Sequence, residues 1–478
     1  MPALPSVHRG SRPTGRRAGH RRGTGLPPET ASGRLPAAPS RRLPAACQGS
    51  RQPGVRGARR RHLDRRRLAH DRAGRRQCLH ARLRRTHRRH LERPGQLLRE
   101  QPRPGVPGGP GTVRRTHRRH RAPVVTASFE ELGDRALDPR LCGLYEPRTY
   151  ERDPMVQPFD PARPLPWVTG WSLRDARPVL VPARLVYYSA GTREDNFVFE
   201  CSNGCATGGT WEEAVFFGLL ELVERDAFLL GWYGDLALPE IDLASVHGPK
   251  VRAMVARAAL QGYDVHVFDN RVDLPVPVVT GLAVRRDDGP GTLAFAASAS
   301  FDPETAVESA VSEILTYIPH LPGQVAERPD ELAAMARDFD LVARLPDHAA
   351  LFGLPAMRRH AANYLAPPRA ASLDELFAAG RSADRAPGIS ATTCCSCVTC
   401  SPAPSCDVIA VDQTTPEQRR MGLRTVATLA PGLLPIDFGW LRQRALHLPR
   451  LRTAPHRAGL VPAPLREEDL RRVPHPFP

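Results

Sequence analysis

Three carboxylates invite a chemical reading first. Glu213, Glu221 and Glu224 are spaced so that, at about 100° per residue, they fall at roughly 0°, 80° and 20° of a helical wheel. Carboxylates crowded into one sector repel one another unless a cation lies among them. They suit Mg²⁺, a hard ion that takes carboxylate oxygens and shares its shell with the phosphates of a nucleotide. The stretch just before them, Cys201-Ser-Asn-Gly-Cys-Ala-Thr-Gly-Gly209, is rich in glycine. Such a loop lets backbone N–H groups at a helix N-terminus approach an anion. A plainer account competes. Every amphipathic helix has a polar face, and Thr210-x-x-Glu213 is the pattern of a capping box. Spacing alone favours the plainer account.

The elements that must hold these residues alternate along the chain. The helix is expected from Thr210 to about Leu230, with Val215, Leu219, Leu222, Val223 and Leu230 on the face opposite the carboxylates. Short β-rich runs stand at 178–188, with Pro at its edges, at 197–200, 263–268, 275–280 and 292–297, and again at 407–411, 425–429 and 431–435. Further helices are expected at 303–317, around 330–345 and at 372–380. Strands and helices interleave throughout, so the class is α/β with mixed sheets and flanking helices. No internal repeat is present, and no catalytic triad is apparent.

Composition divides the chain in two. The formal charge of +18 is an average over unlike parts. Residues 1–122 hold 33 Arg and 5 acidic side chains, whereas 123–478 hold 35 basic and 45 acidic groups. Basicity of the whole therefore does not mark a nucleic-acid-binding protein, although a polycationic arm over 1–122 would bind phosphates. Strings such as Arg59-Arg60-Arg61-His62 show neither helix nor strand period, so 1–122 is expected to be disordered. The chain has 67 Arg but one Lys, which points to GC-rich codons. Out-of-frame GC-rich DNA translates into Arg, Pro, Gly, Ala and His, and the segment is read as frame-shifted. The ten cysteines include a cluster at Cys394, Cys395, Cys397, Cys400 and Cys406. It has no second knuckle at zinc spacing and is read as a second local frame slip or an unstructured loop. No apolar run reaches the roughly 18 residues of a membrane span, and a cytoplasmic protein is expected.

The glycine loop and helix, Ser202-Asn203-Gly204-Cys-Ala-Thr-Gly208 through Glu213 to Glu221-x-x-Glu224-Arg225-Asp226, resemble the signature of the YcaO family. The resemblance implies an α/β fold with a nucleotide site unlike a P-loop. Glu213, Glu221 and Glu224 would coordinate Mg²⁺ and ATP, Arg225 would contact phosphate, and Asn203 would join the nucleotide site. Asp302-Pro-x-x-Ala306 to Glu313 is similar to a later family helix, which makes Glu313 a fourth metal carboxylate. Ser309 and Thr316 stand where Arg and Gln are common. The segment 474–478, Pro-His-Pro-Phe-Pro, resembles the Pro-x-Pro-x-Pro of the azoline-forming cyclodehydratase branch. The terminal Pro478 carboxylate is then a candidate to assist proton transfer. The family's first ATP motif, a Glu-x-x-Glu helix, is missing ahead of residue 123 in the frame given. Codons for 103–113 read one base later permit such a string, so 123–478 is read as a YcaO domain incomplete at its start.

The implied activity is ATP-dependent cyclodehydration of Cys, Ser or Thr in a ribosomally made precursor peptide, as in bacteriocin biosynthesis. Its partners would be that peptide and a protein that binds the peptide's leader; a homodimer stays open. Two rival readings stand beside it: another YcaO reaction, amidine or thioamide formation, and a non-catalytic basic protein that binds nucleic acid through 1–122.

Overall fold

A computed structural model describes residues 124–381 and 407–478, all within one unit, Pro107–Pro478. The segment 1–122 with its shifted reading, and the Cys394–Cys406 cluster, lie outside the described residues.

Two sheets are built around one helix. The first contains β1 (Val124–Ala127), β2 (Leu165–Ser172), β3 (Arg177–Pro182), β4 (Cys205–Gly208), β10 (Ile409–Asp412) and β11 (Arg424–Leu429). Its order is β1-β2-β10-β11-β4 with β3 on β2, and every pair is antiparallel. The second contains β5 (Glu240–Ile241), β6 (Tyr263–Asp269), β7 (Val278–Arg285), β8 (Leu293–Ala299) and β9 (Ala370–Ala371) in the order β8-β7-β6-β5-β9. Only β5 and β9 run parallel in this sheet. The α/β class with mixed sheets and flanking helices is the observed one. Among the described residues, no helix is long and apolar enough to cross a membrane.

The helix Trp211–Tyr233 packs against β4 and β11 of the first sheet and against β7 and β8 of the second. Its first half sends Ala214, Val215, Leu219, Leu222 and Val223 into a cluster with Val408, Ala410 and Val426. Its last two turns, Phe228 to Tyr233, are buried on every side in the larger core that covers β6 to β8. Trp232 there meets Phe295 and Phe352 edge-on and stacks on Tyr364. Each such side chain contributes about 1.5–3 kcal/mol on leaving water. The helix is thus the shared wall of both cores, and its start is the part that reaches a surface.

Short-range signals set the starts of the two longest helices. Thr210 accepts the Glu213 N–H at 3.1 Å and starts the helix where expected. The helix at Pro303–Tyr317 begins with an Asp302 cap and Pro in its first turn. Elsewhere partners across the sheet redrew the boundaries. The 178–188 run stops at Pro182 and turns into a 3-10 segment at Ala183–Leu185. The run at 197–200 and the run at 431–435 form no strand, and β7 begins only after Pro275 and Pro277. Conversely, the glycine loop contains a strand: β4 pairs with β11 from Arg424↔Gly208 to Ala427↔Cys205.

Candidate nucleotide-binding site

The loop is clamped between β11 and the long helix by backbone contacts that leave no room for side chains. Gly204 has φ +72°, and a Cβ on it would stand 2.1 Å from the Thr428 carbonyl oxygen. A Cβ on Gly218 would stand 2.4 Å from the Gly204 oxygen. The Thr428 N–H donates to that same Gly204 oxygen at 2.9 Å. Glycine at both positions lets strand, loop and helix touch, and this contact fixes where Asn203 sits.

Asn203 is 9% exposed, and its Nδ2 donates to the Ile436 carbonyl at 3.0 Å. That bond turns Oδ1 toward the helix, where it accepts from Arg225. Arg225 also pairs with Glu221 one turn earlier, and its buried Nε has no partner among the described residues. Burial works against the charge of Arg225, but the Glu221 and Glu224 carboxylates outweigh it and raise its pKa above the ordinary value. The guanidinium is therefore held permanently charged with one N–H unspent, a donor set suited to a phosphate oxygen.

The carboxylates expected to act together are each engaged. Glu213, exposed in the first turn, accepts the Gly209 N–H at 2.6 Å. It braces the loop rather than closing a reciprocal box with Thr210, which is half of the plainer account. Glu221 faces Arg225, and Glu224 accepts the Ala299 N–H at the end of β8 at 3.2 Å. Glu313 is half-buried on the Pro303–Tyr317 helix, which lies on β7 and β8. Thr316 spends its hydroxyl on the Glu313 carbonyl at 2.7 Å. Among the described residues, no three His, Cys, Asp or Glu side chains converge on one metal point. The donor chemistry nonetheless fits a hard cation with a phosphate: carboxylate oxygens on one helix face beside a guanidinium with an orphaned N–H.

Other groups in the region have little trace in the sequence. Asp226, 1% exposed, follows Arg225 and lies about 100° round the helix from it. It accepts the Leu434 N–H at 2.8 Å and pairs with Arg450 at 2.6 Å, which also pairs with Asp273 at 2.7 Å. An Asp on the apolar face of a long helix was the signal available. Asp437 and Arg444 form a second buried pair at 2.7 Å. Cys201 and Cys205 flank Asn203, and burial raises both thiols above their ordinary pKa, so neither offers a thiolate. The segment Val473–Phe477 is buried, and Pro478 beyond it is half-exposed.

An α/β chain that sets a carboxylate-lined helix and a locked guanidinium beside a glycine loop has the makings of a nucleotide-binding enzyme fold. Residues 113–434 match the family model described as YcaO cyclodehydratase, ATP- and Mg²⁺-binding. The chain belongs to the YcaO family. It is 30% identical over 155 residues to an uncharacterized protein of Methanothermobacter thermautotrophicus, covering 31% of this chain and 40% of that protein. Among solved structures it is similar to a heterocyclase in complex with substrate and cofactor, at 26% identity and TM-score 0.57 over 74% of this chain and 45% of that one. The heterocyclase TruD matches at 27% identity and TM-score 0.53, over 74% of this chain and 48% of that one. The chain thus spans less than half the length of each of these relatives.

Proposed function

We propose that this chain is an ATP-dependent cyclodehydratase that forms azolines in a ribosomally made peptide. The observation that carries the reading is Arg225, charged, buried and tied to Asn203 on a helix face lined with Glu213, Glu221 and Glu224. Family membership and likeness to heterocyclases support it. A Cys, Ser or Thr side chain of the peptide attacks the preceding amide carbonyl. ATP then phosphorylates the resulting oxyanion, and phosphate departs to leave azoline, ADP and phosphate. Amide oxygen leaves poorly and phosphate leaves well, which is why the nucleotide is spent. The peptide supplies the nucleophile, in keeping with the raised thiols of Cys201 and Cys205.

In this reading Arg225 binds a phosphate oxygen through its unspent Nε and Asn203 keeps it aimed. Glu213, Glu221, Glu224 and Glu313 would hold Mg²⁺, whose chemistry is to neutralise phosphate charge as it develops. Glu221 would exchange its Arg225 partner for the ion. A proton-transfer role for the Pro478 carboxylate belongs to the same reading.

The test is precursor-dependent ATP hydrolysis by Glu221→Ala and Glu224→Ala, in the full chain and in a chain with the frame ahead of residue 123 restored. Both substitutions are expected to abolish turnover with unchanged circular dichroism. Turnover retained in both variants overturns the assignment.

A further inference from the structure

The segment Val473–Phe477 is buried without belonging to any helix or strand. Proline-rich chain makes no internal hydrogen bonds, so the body must supply what fixes it. Trp232 donates its indole N–H to the Val473 carbonyl at 3.0 Å, and Phe477 meets Phe228 edge-on at 5.0 Å. Further contacts centre on His475, which is fully buried.

The rings of His475 and His348 stack at 4.2 Å with 25° between their planes. Their partners decide which nitrogens carry hydrogen. His475 Nε2 lies 2.8 Å from the Asp437 carbonyl. A carbonyl only accepts, so Nε2 is protonated and Nδ1, buried without a partner among the described residues, is a bare lone pair. His348 stands on the helix Leu345–Phe352. Its Nε2 receives the Gly439 N–H at 2.8 Å and is unprotonated, and its Nδ1 donates to the His475 carbonyl at 2.8 Å. Each tautomer follows from its neighbours. Both rings are neutral. A second proton on His348 would confront the Gly439 N–H, and one on His475 would be a buried charge against a stacked ring.

This pair is wired to the proposed site through two consecutive carbonyls. That of Asp437 takes His475, and that of Ile436 takes Asn203, which holds Arg225. We infer that His348 and His475 are positioning residues: a stacked, neutral clamp that pins 473–477 to 436–439, thereby setting the Asn203–Arg225 contact, and that opens when protonated. The role given to Arg225 rests on the proposed function; the clamp itself does not.

The surroundings favour neutrality. Asp347 neighbours His348 on its own helix, but its carboxylate is taken by Arg328 at 2.8 Å and Arg344 at 3.2 Å. The Asp437 carboxylate is taken by Arg444 at 2.7 Å. Arg225 repels a proton on His475 from the long helix, and Tyr233, with its ring 6.5 Å from His475, gives its hydroxyl to Gln443 at 2.7 Å. Burial lowers His348 to about 4, and burial, followed by the charge of its partner ring, takes His475 well below the ordinary value. Once the segment lifts away, both histidines regain a pKa of about 6.5. The open state then binds more protons, so the clamp is at full strength above about pH 6.5 and weakens as pH falls from there toward the folded values. The opening constant should rise about 20-fold between pH 7 and pH 5 through His348, and further through His475.

Amide hydrogen exchange on the full chain, corrected for the intrinsic pH dependence of exchange, reads this directly. Protection over 473–477 and over the 201–209 loop should fall between pH 7 and pH 5. His475→Gln keeps a donor near the Nε2 position but cannot titrate. It should retain protection at pH 7 and lose about one proton's worth of pH dependence. His348→Ala should open both regions at pH 7. Equal protection at both pH values in the native chain, or an unaltered pH dependence in His475→Gln, overturns the clamp. Opening at 473–477 with an undisturbed 201–209 loop overturns the coupling. An exchange pattern as expected in a chain that never hydrolyses ATP would leave the clamp standing and count only against the proposed function.

Discussion

Gly218→Ala puts two physical effects in opposition, and the structure says which prevails. In an exposed helix, alanine for glycine stabilises by about 0.8–1 kcal/mol. Here the new methyl would lie 2.4 Å from the Gly204 oxygen, 2.6 Å from Thr428 Oγ1 and 3.1 Å from Thr428 Cβ. The first of these is backbone and cannot rotate away, so helix and loop must part by about 0.6 Å to reach the 3.0 Å that real contacts respect. Overpacking of this kind costs about 1–3 kcal/mol. Any retreat of the loop also stretches the 2.9 Å bond from Thr428 to Gly204, itself worth about 1 kcal/mol. The balance is a net loss of about 1–3 kcal/mol, measured as a lower urea midpoint at constant slope. Asn203 and Arg225 lie on opposite sides of the widened contact, so affinity for ATP with Mg²⁺, followed by calorimetry, should weaken roughly tenfold, about 1.4 kcal/mol. A variant more stable by the propensity term, binding nucleotide as tightly as the parent, would refute the reasoning.

Two further outcomes are expected. Arg450→Met strands Asp226, 1% exposed, and loosens Asp273, so stability should drop by about 3–5 kcal/mol. Adding Asp226→Asn should recover part of that loss, and a drop below 1 kcal/mol in denaturant titration would contradict it. If the chain forms azolines, leader recognition is expected from a second protein that pairs with the leader by strand addition and raises the local concentration of core peptide. Mass spectrometry should then show one water lost per ring, faster with the partner present, and equal rates would place leader recognition within this chain.

The legible parts of the site are those set by neighbours a few residues away. The long helix is announced by Thr210 and its apolar spacing, yet its end was expected near Leu230 and lies at Tyr233. Its last turns are buried on all sides, so no polar face remains to mark a period. The wheel sets Glu213, Glu221 and Glu224 in one sector, but it cannot say what each meets. Glu213 turned back to Gly209, Glu221 to Arg225, and Glu224 across to Ala299 on another sheet. The glycine loop hid β4 because a strand of four residues exists only once β11 lies beside it. The histidine pair, 127 residues apart, has no local trace at all. Periodicity, capping and the family motif belong to the sequence by itself, since they depend on atoms within one or two turns. Which carboxylate meets which cation, and which carbonyl fixes Asn203, was decided only in the tertiary structure, because buried polar groups must find partners and the packed sheets determine which are within reach.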